Sequence, residues 1–95
     1  LVIPRKEIDY IFDMNDDDLA AFQLFTKKVA RAIKKAFPCK KVAQIVLGLE
    51  VDHAHIHLLP INSEADVDFH KNIELTAEEQ TEIAAKIFKA FKELD

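Results

Sequence analysis

Histidines alternate with apolar residues in the segment His53-Ala54-His55-Ile56-His57-Leu58. A period of two is typical of a β-strand with one apolar face, because successive side chains of a strand point to opposite faces. We therefore predict a strand over 53–58 whose aliphatic side chains face the core and whose histidines face the other way. Residues two apart on a strand are separated by about 6.6 Å, so the three imidazoles are expected to form a row.

A long amphipathic helix is predicted over 16–36, ahead of this strand. Asn15 can cap its first turn, and Pro38 prevents the helix from continuing. A second helix is predicted from Thr76, because Thr76 and Glu79 have the spacing of a capping box. The apolar residues that recur at helical spacing in the first helix are Leu19, Phe22, Phe25, Val29 and Ile33. The stripe expected to be buried in the second helix is Ile83, Ile87, Phe88, Phe91 and Leu94.

Two further strands are predicted from β-rich runs over 1–4 and 41–47, and the polar segment 62–75 is predicted to be a loop. Helices that flank strands without a repeated strand-helix-strand rhythm indicate an α+β fold with an antiparallel sheet. We expect one domain over 1–95. Because so few strands make a weak sheet, and because the chain begins at Leu1, we expect a domain whose N-terminal portion is missing or whose sheet edges are covered by a partner.

The composition favours a soluble globular domain, with 49% hydrophobic and 32% charged residues. The net charge is −4 and basic and acidic residues are interspersed, which argues against nucleic acid as a partner. No apolar run reaches the roughly 18 residues of a membrane span, so no membrane partner is expected. The single cysteine, Cys39, fits the reducing cytosol, and we expect a cytoplasmic protein.

The histidine row permits three interpretations. Purely structural packing is disfavoured, because each buried ring would need its own hydrogen-bond partner. A zinc site could use two of the rings, but the first and third start about 13 Å apart, so one ion cannot bind all three. Its other ligands would be Glu50 or His70, neither at a metal-motif spacing. Phosphoryl chemistry fits best, because one neutral imidazole can attack phosphorus while a neighbour holds the oxygens or protonates the leaving group.

Residues 51–60, Val-Asp-His-Ala-His-Ile-His-Leu-Leu-Pro, resemble the signature of the histidine triad family, His-φ-His-φ-His-φ-φ with φ apolar. The opening residues 1–6 resemble the strand that precedes the family's long helix, and Gly48 stands five residues before the first histidine of the motif, as in the family. The resemblance covers nearly the whole chain. It implies a histidine-triad-like α+β domain that lacks the family's N-terminal portion.

The resemblance also implies a nucleotide hydrolase or nucleotidyl transferase that acts on the α-phosphate of purine nucleotides. The substrates would be phosphoramidates, dinucleoside polyphosphates or nucleotidyl esters. His55 would attack phosphorus and become nucleotidylated, His57 would contact the phosphate and leaving group, and His53 would support the row. No metal or other cofactor is implied. The phosphate would also be lined by Leu49, Glu50 and Val51.

Three positions depart from the family pattern. Glu50 stands where relatives often carry a hydroxyl residue, and its charge would repel a phosphate if it faced one. Asp52 replaces a residue that is proline in many bacterial relatives, and Glu7 stands where relatives commonly have histidine.

The resemblance implies a homodimer formed through the 16–36 helix and the 41–47 strand. Phe22, Leu24 and Phe25 agree with this, because they offer apolar area on more than one side of the helix. A thick monomer core is the competing explanation for these three residues. Two alternatives to the enzyme stay open at this point, a non-catalytic nucleotide-binding regulator and a zinc-binding module.

Overall fold

The computed structural model of the chain describes residues 1–6, 8–47, 53–67 and 75–94. In this part of the chain, two α-helices accompany a two-stranded antiparallel sheet, which confirms the predicted α+β fold. Two short 3-10 turns precede the first helix and follow the second strand. The helices are α1, Asp16–Ala36, and α2, Ala77–Glu93; the strands are β1, Lys41–Ile45, and β2, His57–Ile61; the 3-10 turns are Ile11–Asp13 and Glu64–Asp66.

Helix α1 has the predicted bounds and the predicted cap. The side chain of Asn15 accepts a hydrogen bond from the backbone N–H of Asp18 at 2.8 Å, which satisfies one of the free donors of the first turn. Phe22 is buried in the core as expected, whereas Phe25 is 52% exposed. This exposure agrees with the expectation that apolar residues lie on more than one side of the helix. The buried face continues through the fully buried Thr26, one position further along the helix.

Helix α2 begins at the predicted capping box. Thr76 Oγ1 accepts a hydrogen bond from the N–H of Glu79, and the Glu79 carboxylate accepts one from the N–H of Thr76. The prediction that Phe88 is buried was wrong: its side chain is 61% exposed and lies beneath the ammonium group of Lys92. Ala90 takes the buried position on this part of the helix, because a small residue lets α2 pack closely on α1.

Strand β1 pairs with β2 from Lys41↔Ile61 to Ile45↔His57, so it is shorter than the predicted 41–47. The predicted strand over 53–58 is only partly regular, because β2 begins at His57. Before it, Ile56 forms a single antiparallel bridge with Val2, which is all that the structure retains of the predicted strand 1–4. In an extended chain, the N–H and C=O groups of neighbouring residues point to opposite edges. The backbone of Ile56 therefore exchanges hydrogen bonds with Val2 on one edge, and His57 pairs with Ile45 of β1 on the other.

The core is built around the apolar face of this central segment. Ala54 and Ile56 are 1% and 0% exposed, as the alternating pattern predicts. They pack with side chains from the first residues, the first 3-10 turn and helix α1, namely Val2, Ile11, Met14 and Phe22. No helix in the described ranges is long and apolar enough to cross a membrane.

The segment after β2 was predicted to be a loop, and its described portion, 62–67, contains the 3-10 turn Glu64–Asp66. The carboxylate of Asp66 accepts hydrogen bonds from the backbone N–H groups of Asn62 and Ser63, which explains why this short turn is ordered. The Asn62 side chain in turn accepts a hydrogen bond from the N–H of Lys40, just ahead of β1. The turn is therefore attached to the end of the sheet.

Candidate functional site

The structure brings His53, His55 and His57 together on the face opposite the buried Ala54 and Ile56. All three histidines are half-buried, so each ring is held by the protein and still has access to solvent. The row follows from the alternation of side chains across the extended segment. The ring centroids of His55 and His57 are 4.8 Å apart, closer than the roughly 6.6 Å between residues two apart on an ideal strand. Each of the three rings forms a hydrogen bond.

The ring of His53 is attached to the first residues of the chain. Its Nε2 lies 3.1 Å from the carbonyl oxygen of Pro4. A carbonyl oxygen only accepts hydrogen bonds, so Nε2 of His53 carries the proton in this contact. The next residue, Ala54, donates its N–H to the carbonyl oxygen of Ile8 at 2.6 Å. Sequence reasoning missed both carbonyl groups, since backbone acceptors leave no mark in a sequence pattern.

The ring of His55 is oriented by the backbone of the histidine row itself. Its Nδ1 lies 2.8 Å from the carbonyl oxygen of His53, and this contact requires a proton on Nδ1. A neutral imidazole has one proton, so the Nε2 of His55 holds a free electron pair. The arrangement selects the tautomer in which His55 presents a nucleophilic nitrogen.

His57 faces that nitrogen. The Nε2 atoms of His55 and His57 are 3.1 Å apart, and the two rings meet edge to face at a centroid distance of 4.8 Å. Because Nε2 of neutral His55 has no proton, Nε2 of His57 is the donor in this hydrogen bond. Burial of the His57 ring, and secondly the positive charge that His55 can carry, lower the pKa of His57 below 6.5. A nucleophilic electron pair and an N–H donor are therefore adjacent.

The other residues assigned to this site lie outside the described residues. They are the predicted phosphate-lining residues Leu49, Glu50 and Val51, and also Glu7, Asp52 and His70. Their roles stay predictions. Within the described part of the chain, no three side chains of His, Cys, Asp or Glu form a group that could hold a metal ion.

A separate cleft of about 560 Å³ lies between residues 3–6 and helix α1. Its walls are mainly apolar, with Phe22 and Phe25 on the helix side, and none of the three histidines lines it. Lys6 closes one end through an ion pair of 2.9 Å with Asp18, and the hydrogen bond from Lys6 holds the pKa of the Asp18 carboxyl below its usual value. Pro4 lines this cleft, and its carbonyl oxygen also accepts the hydrogen bond from the ring of His53.

Known proteins share sequence and fold with this chain. Residues 1–64, which include the three histidines, match the family model described as HIT domain. An uncharacterized HIT-like protein of Methanocaldococcus jannaschii is 34% identical over an alignment of 64 residues, which covers 63% of this chain and 50% of that protein. The chain thus spans half the length of this curated relative.

Two solved structures have a similar fold. A histidine triad protein from Sinorhizobium meliloti 1021 superposes with a TM-score of 0.77 and 28% identity, over 90% of this chain and 68% of that one. A histidine triad protein from Bradyrhizobium japonicum gives a TM-score of 0.69 over 95% of this chain and 69% of that one. At 23% identity, the second likeness bears on the fold alone.

Proposed function

Because this chain belongs to the HIT-domain family, we propose that it is a nucleotide hydrolase or nucleotidyl transferase in which His55 is the nucleophile. The substrates are purine nucleotides that carry a leaving group on the α-phosphate: phosphoramidates, dinucleoside polyphosphates or nucleotidyl esters. The reaction passes through a nucleotidyl-histidine. Family membership supports nucleotide chemistry in general terms, and the orientation of the His55 ring supports the choice of nucleophile.

The observation that carries the proposal is the 2.8 Å contact between Nδ1 of His55 and the carbonyl oxygen of His53. It holds the ring in the tautomer whose Nε2 can attack, and it stabilises the positive charge that develops on the ring during attack. His53 is a positioning residue in this scheme. Its own ring is attached to the Pro4 carbonyl, which keeps the backbone acceptor for His55 in place.

The chemistry consists of two displacements at phosphorus. In the first, Nε2 of His55 forms a bond to the α-phosphorus while the bond to the leaving group breaks. His57, protonated on both ring nitrogens when the anionic substrate is bound, gives its Nε2 proton to the departing atom and becomes neutral. In the second, water attacks the phosphorus, its proton passes to Nε2 of His57, and the bond to His55 breaks. The products are a nucleoside monophosphate, neutral His55 and protonated His57, the state from which the first displacement began. Leu49, Glu50 and Val51 are proposed to line the phosphate, and no metal or other cofactor takes part.

The direct test is intact-protein mass spectrometry after a brief incubation with an adenosine phosphoramidate. Parallel samples are quenched with acid and with alkali, because a phosphorus–nitrogen bond to imidazole is labile in acid and stable in alkali. We expect one adenylyl group per chain in the alkaline sample and none in the acid sample. The variant His55→Gly removes the nucleophile and should show no adduct and a loss of turnover by several orders of magnitude.

His55→Asn separates the enzyme from a nucleotide-binding regulator. If His55 is the nucleophile, this variant loses turnover and still binds adenosine monophosphate in a calorimetric titration. Binding by the wild-type protein with neither an adduct nor nucleotide release would contradict the proposed enzyme and favour the regulator. An adduct that persists in His55→Gly would move the nucleophile to another residue.

We further propose that two copies of the chain associate through α1 and β1, and that the protein works in the cytoplasm. Leu24 on α1 is 67% exposed. Gln23 and Gln44 exchange two amide hydrogen bonds of 2.7 and 2.8 Å, which join α1 and β1 into one continuous surface. Leu24→Glu should convert the dimer to a monomer in light scattering, whereas Phe88→Glu, at a similarly exposed site on α2, should not. A monomeric wild-type protein would contradict this interface.

A further inference from the structure

Basic residues are concentrated in the second halves of the two helices. Residues 27–36 of α1 and 86–93 of α2 contain eight of the 13 lysine and arginine residues of the chain and one of its 17 acidic residues. The two segments are far apart in the sequence, and the acidic residues elsewhere make the charges look interspersed. Because α2 packs against α1, folding brings the two segments into contact, for example where Lys35 forms an ion pair with Glu93. The surface therefore has a positive region although the net charge is −4.

A shallow hollow between the helices holds three of these lysines. Its volume is about 220 Å³, and the residues that line it are Lys35, Ala36, Lys86, Lys89, Ala90 and Glu93. The carboxylate of Glu93 lies 2.6 Å from Nζ of Lys35, and this ion pair holds the pKa of Glu93 below its usual value. Three ammonium groups share the hollow with one carboxylate, so the hollow keeps a positive charge.

An exposed aromatic ring lies beside the lysines of α2. Phe88 is 61% exposed, and Nζ of Lys92 lies 4.6 Å from the centre of its ring. Residues three or four apart on a helix are neighbours, so Lys86, Lys89, Lys92 and Phe88 form one continuous surface. We call these four residues and Lys35 the lysine face. Lysines with apolar stems and charged tips beside an exposed phenylalanine are typical of helices that lie on a membrane.

We propose that the lysine face binds an anionic lipid surface as a peripheral contact, with its ammonium groups against the headgroups and Phe88 inserted between them. Lysine is a flexible point charge without the rigid fork of arginine, which suits a layer of spread charge. Single-stranded nucleic acid needs open rings on which bases stack, and one face of the Phe88 ring is occupied by Lys92. The sequence predicted no membrane partner because no apolar run can span a bilayer, and a peripheral contact needs no span.

Charge determines the strength of this contact. A lysine close to an anionic leaflet strengthens binding about 5-fold. The face has four lysines, and Glu93 offsets one of them, so electrostatic attraction contributes about 100-fold. Salt screens the attraction, because the Debye length falls from about 8 Å at physiological ionic strength to about 3 Å in 1 M salt. The face shares no residue with the histidine row, so the contact does not depend on the proposed function.

Sedimentation with lipid vesicles tests the contact. We expect the protein to sediment with vesicles of phosphatidylcholine and phosphatidylserine in equal parts, and to stay in solution with phosphatidylcholine alone or in about 1 M salt. The double variant Lys86→Gln, Lys89→Gln should bind about 25-fold more weakly. The double variant Arg5→Gln, Lys6→Gln is the matched control, because it removes the same charge near the first turn of α1, where Lys6 pairs with Asp18. This control should bind almost as the wild type does.

Fluorescence tests whether Phe88 enters the lipid. The chain contains no tryptophan, so Phe88→Trp introduces a fluorophore that reports on this face alone. Its emission should shift to shorter wavelength with phosphatidylserine vesicles, whereas Phe12→Trp, at a 73% exposed site in the first 3-10 turn, should keep its emission.

Three results would overturn the proposal: equal sedimentation with both kinds of vesicle, undiminished binding by the Lys86→Gln, Lys89→Gln variant, or unchanged emission of Phe88→Trp. Binding of an oligoribonucleotide without binding of vesicles would assign the lysine face to a soluble polyanion, and would also overturn it.

Discussion

Ile56 lies between the two facing histidines, and its truncation tests whether the core supports the histidine row. Its side chain is 0% exposed and packs in the cluster that contains Val2 and Phe22. Truncation of a fully buried isoleucine to alanine costs about 2–5 kcal/mol, from lost burial and from the cavity that remains. A chain of 95 residues has a free energy of unfolding of about 5–14 kcal/mol. Ile56→Ala should therefore remove a large fraction of the stability.

Urea unfolding followed by circular dichroism measures this loss. The urea concentration at the midpoint should fall, with little change in the slope of the free energy of unfolding against urea concentration. The midpoint temperature of thermal unfolding should fall by roughly 8 °C or more. Ile56→Val should cost only about 0.5–1.5 kcal/mol, because it removes a single methyl group. Phe88→Ala, at an exposed site beneath Lys92, should cost about 1 kcal/mol or less. Equal losses in Ile56→Ala and Phe88→Ala would refute the packing described for the central segment.

Two further predictions concern titration and capping. His57 should titrate below pH 6.5 in an NMR titration of its imidazole, because burial and His55 oppose its charge. The unfolded chain then binds the proton at His57 more tightly than the folded chain does. The free energy of unfolding should therefore be constant above about pH 7 and fall as the pH drops below 6.5. This fall should be smaller in His57→Asn, and the same pH profile in the variant and the wild type would contradict the assignment. Thr76→Ala should lower the free energy of unfolding by about 1 kcal/mol through loss of the α2 cap. Thr76→Ser keeps the hydroxyl group and should retain most of the stability of the wild type. Equal free energies of unfolding for the alanine and serine variants would show that the hydroxyl cap contributes nothing.

The sequence by itself determined the features that depend on neighbours along the chain. The bounds of α1, its Asn15 cap and the capping box at Thr76 follow from local hydrogen bonding and were predicted correctly. The alternation over 53–58 correctly predicted that Ala54 and Ile56 are buried and that the histidines share the opposite face. These features are predictable because a periodicity of two or of 3.6 residues is set by backbone geometry alone.

Only the tertiary structure decided which backbone groups hold the histidine rings and which aromatic side chains face solvent. The carbonyl of Pro4 accepts a hydrogen bond from His53, which is 49 residues away in the sequence. Ile56 pairs with Val2 and His57 pairs with Ile45, so this arrangement depends on both the first residues and β1. Phe25 and Phe88 have helical spacing with other apolar residues, yet both are exposed, while the smaller Thr26 and Ala90 take the buried positions. Contacts between distant segments depend on how whole elements pack, and a local pattern predicts which face is buried without specifying which distant segment packs against it.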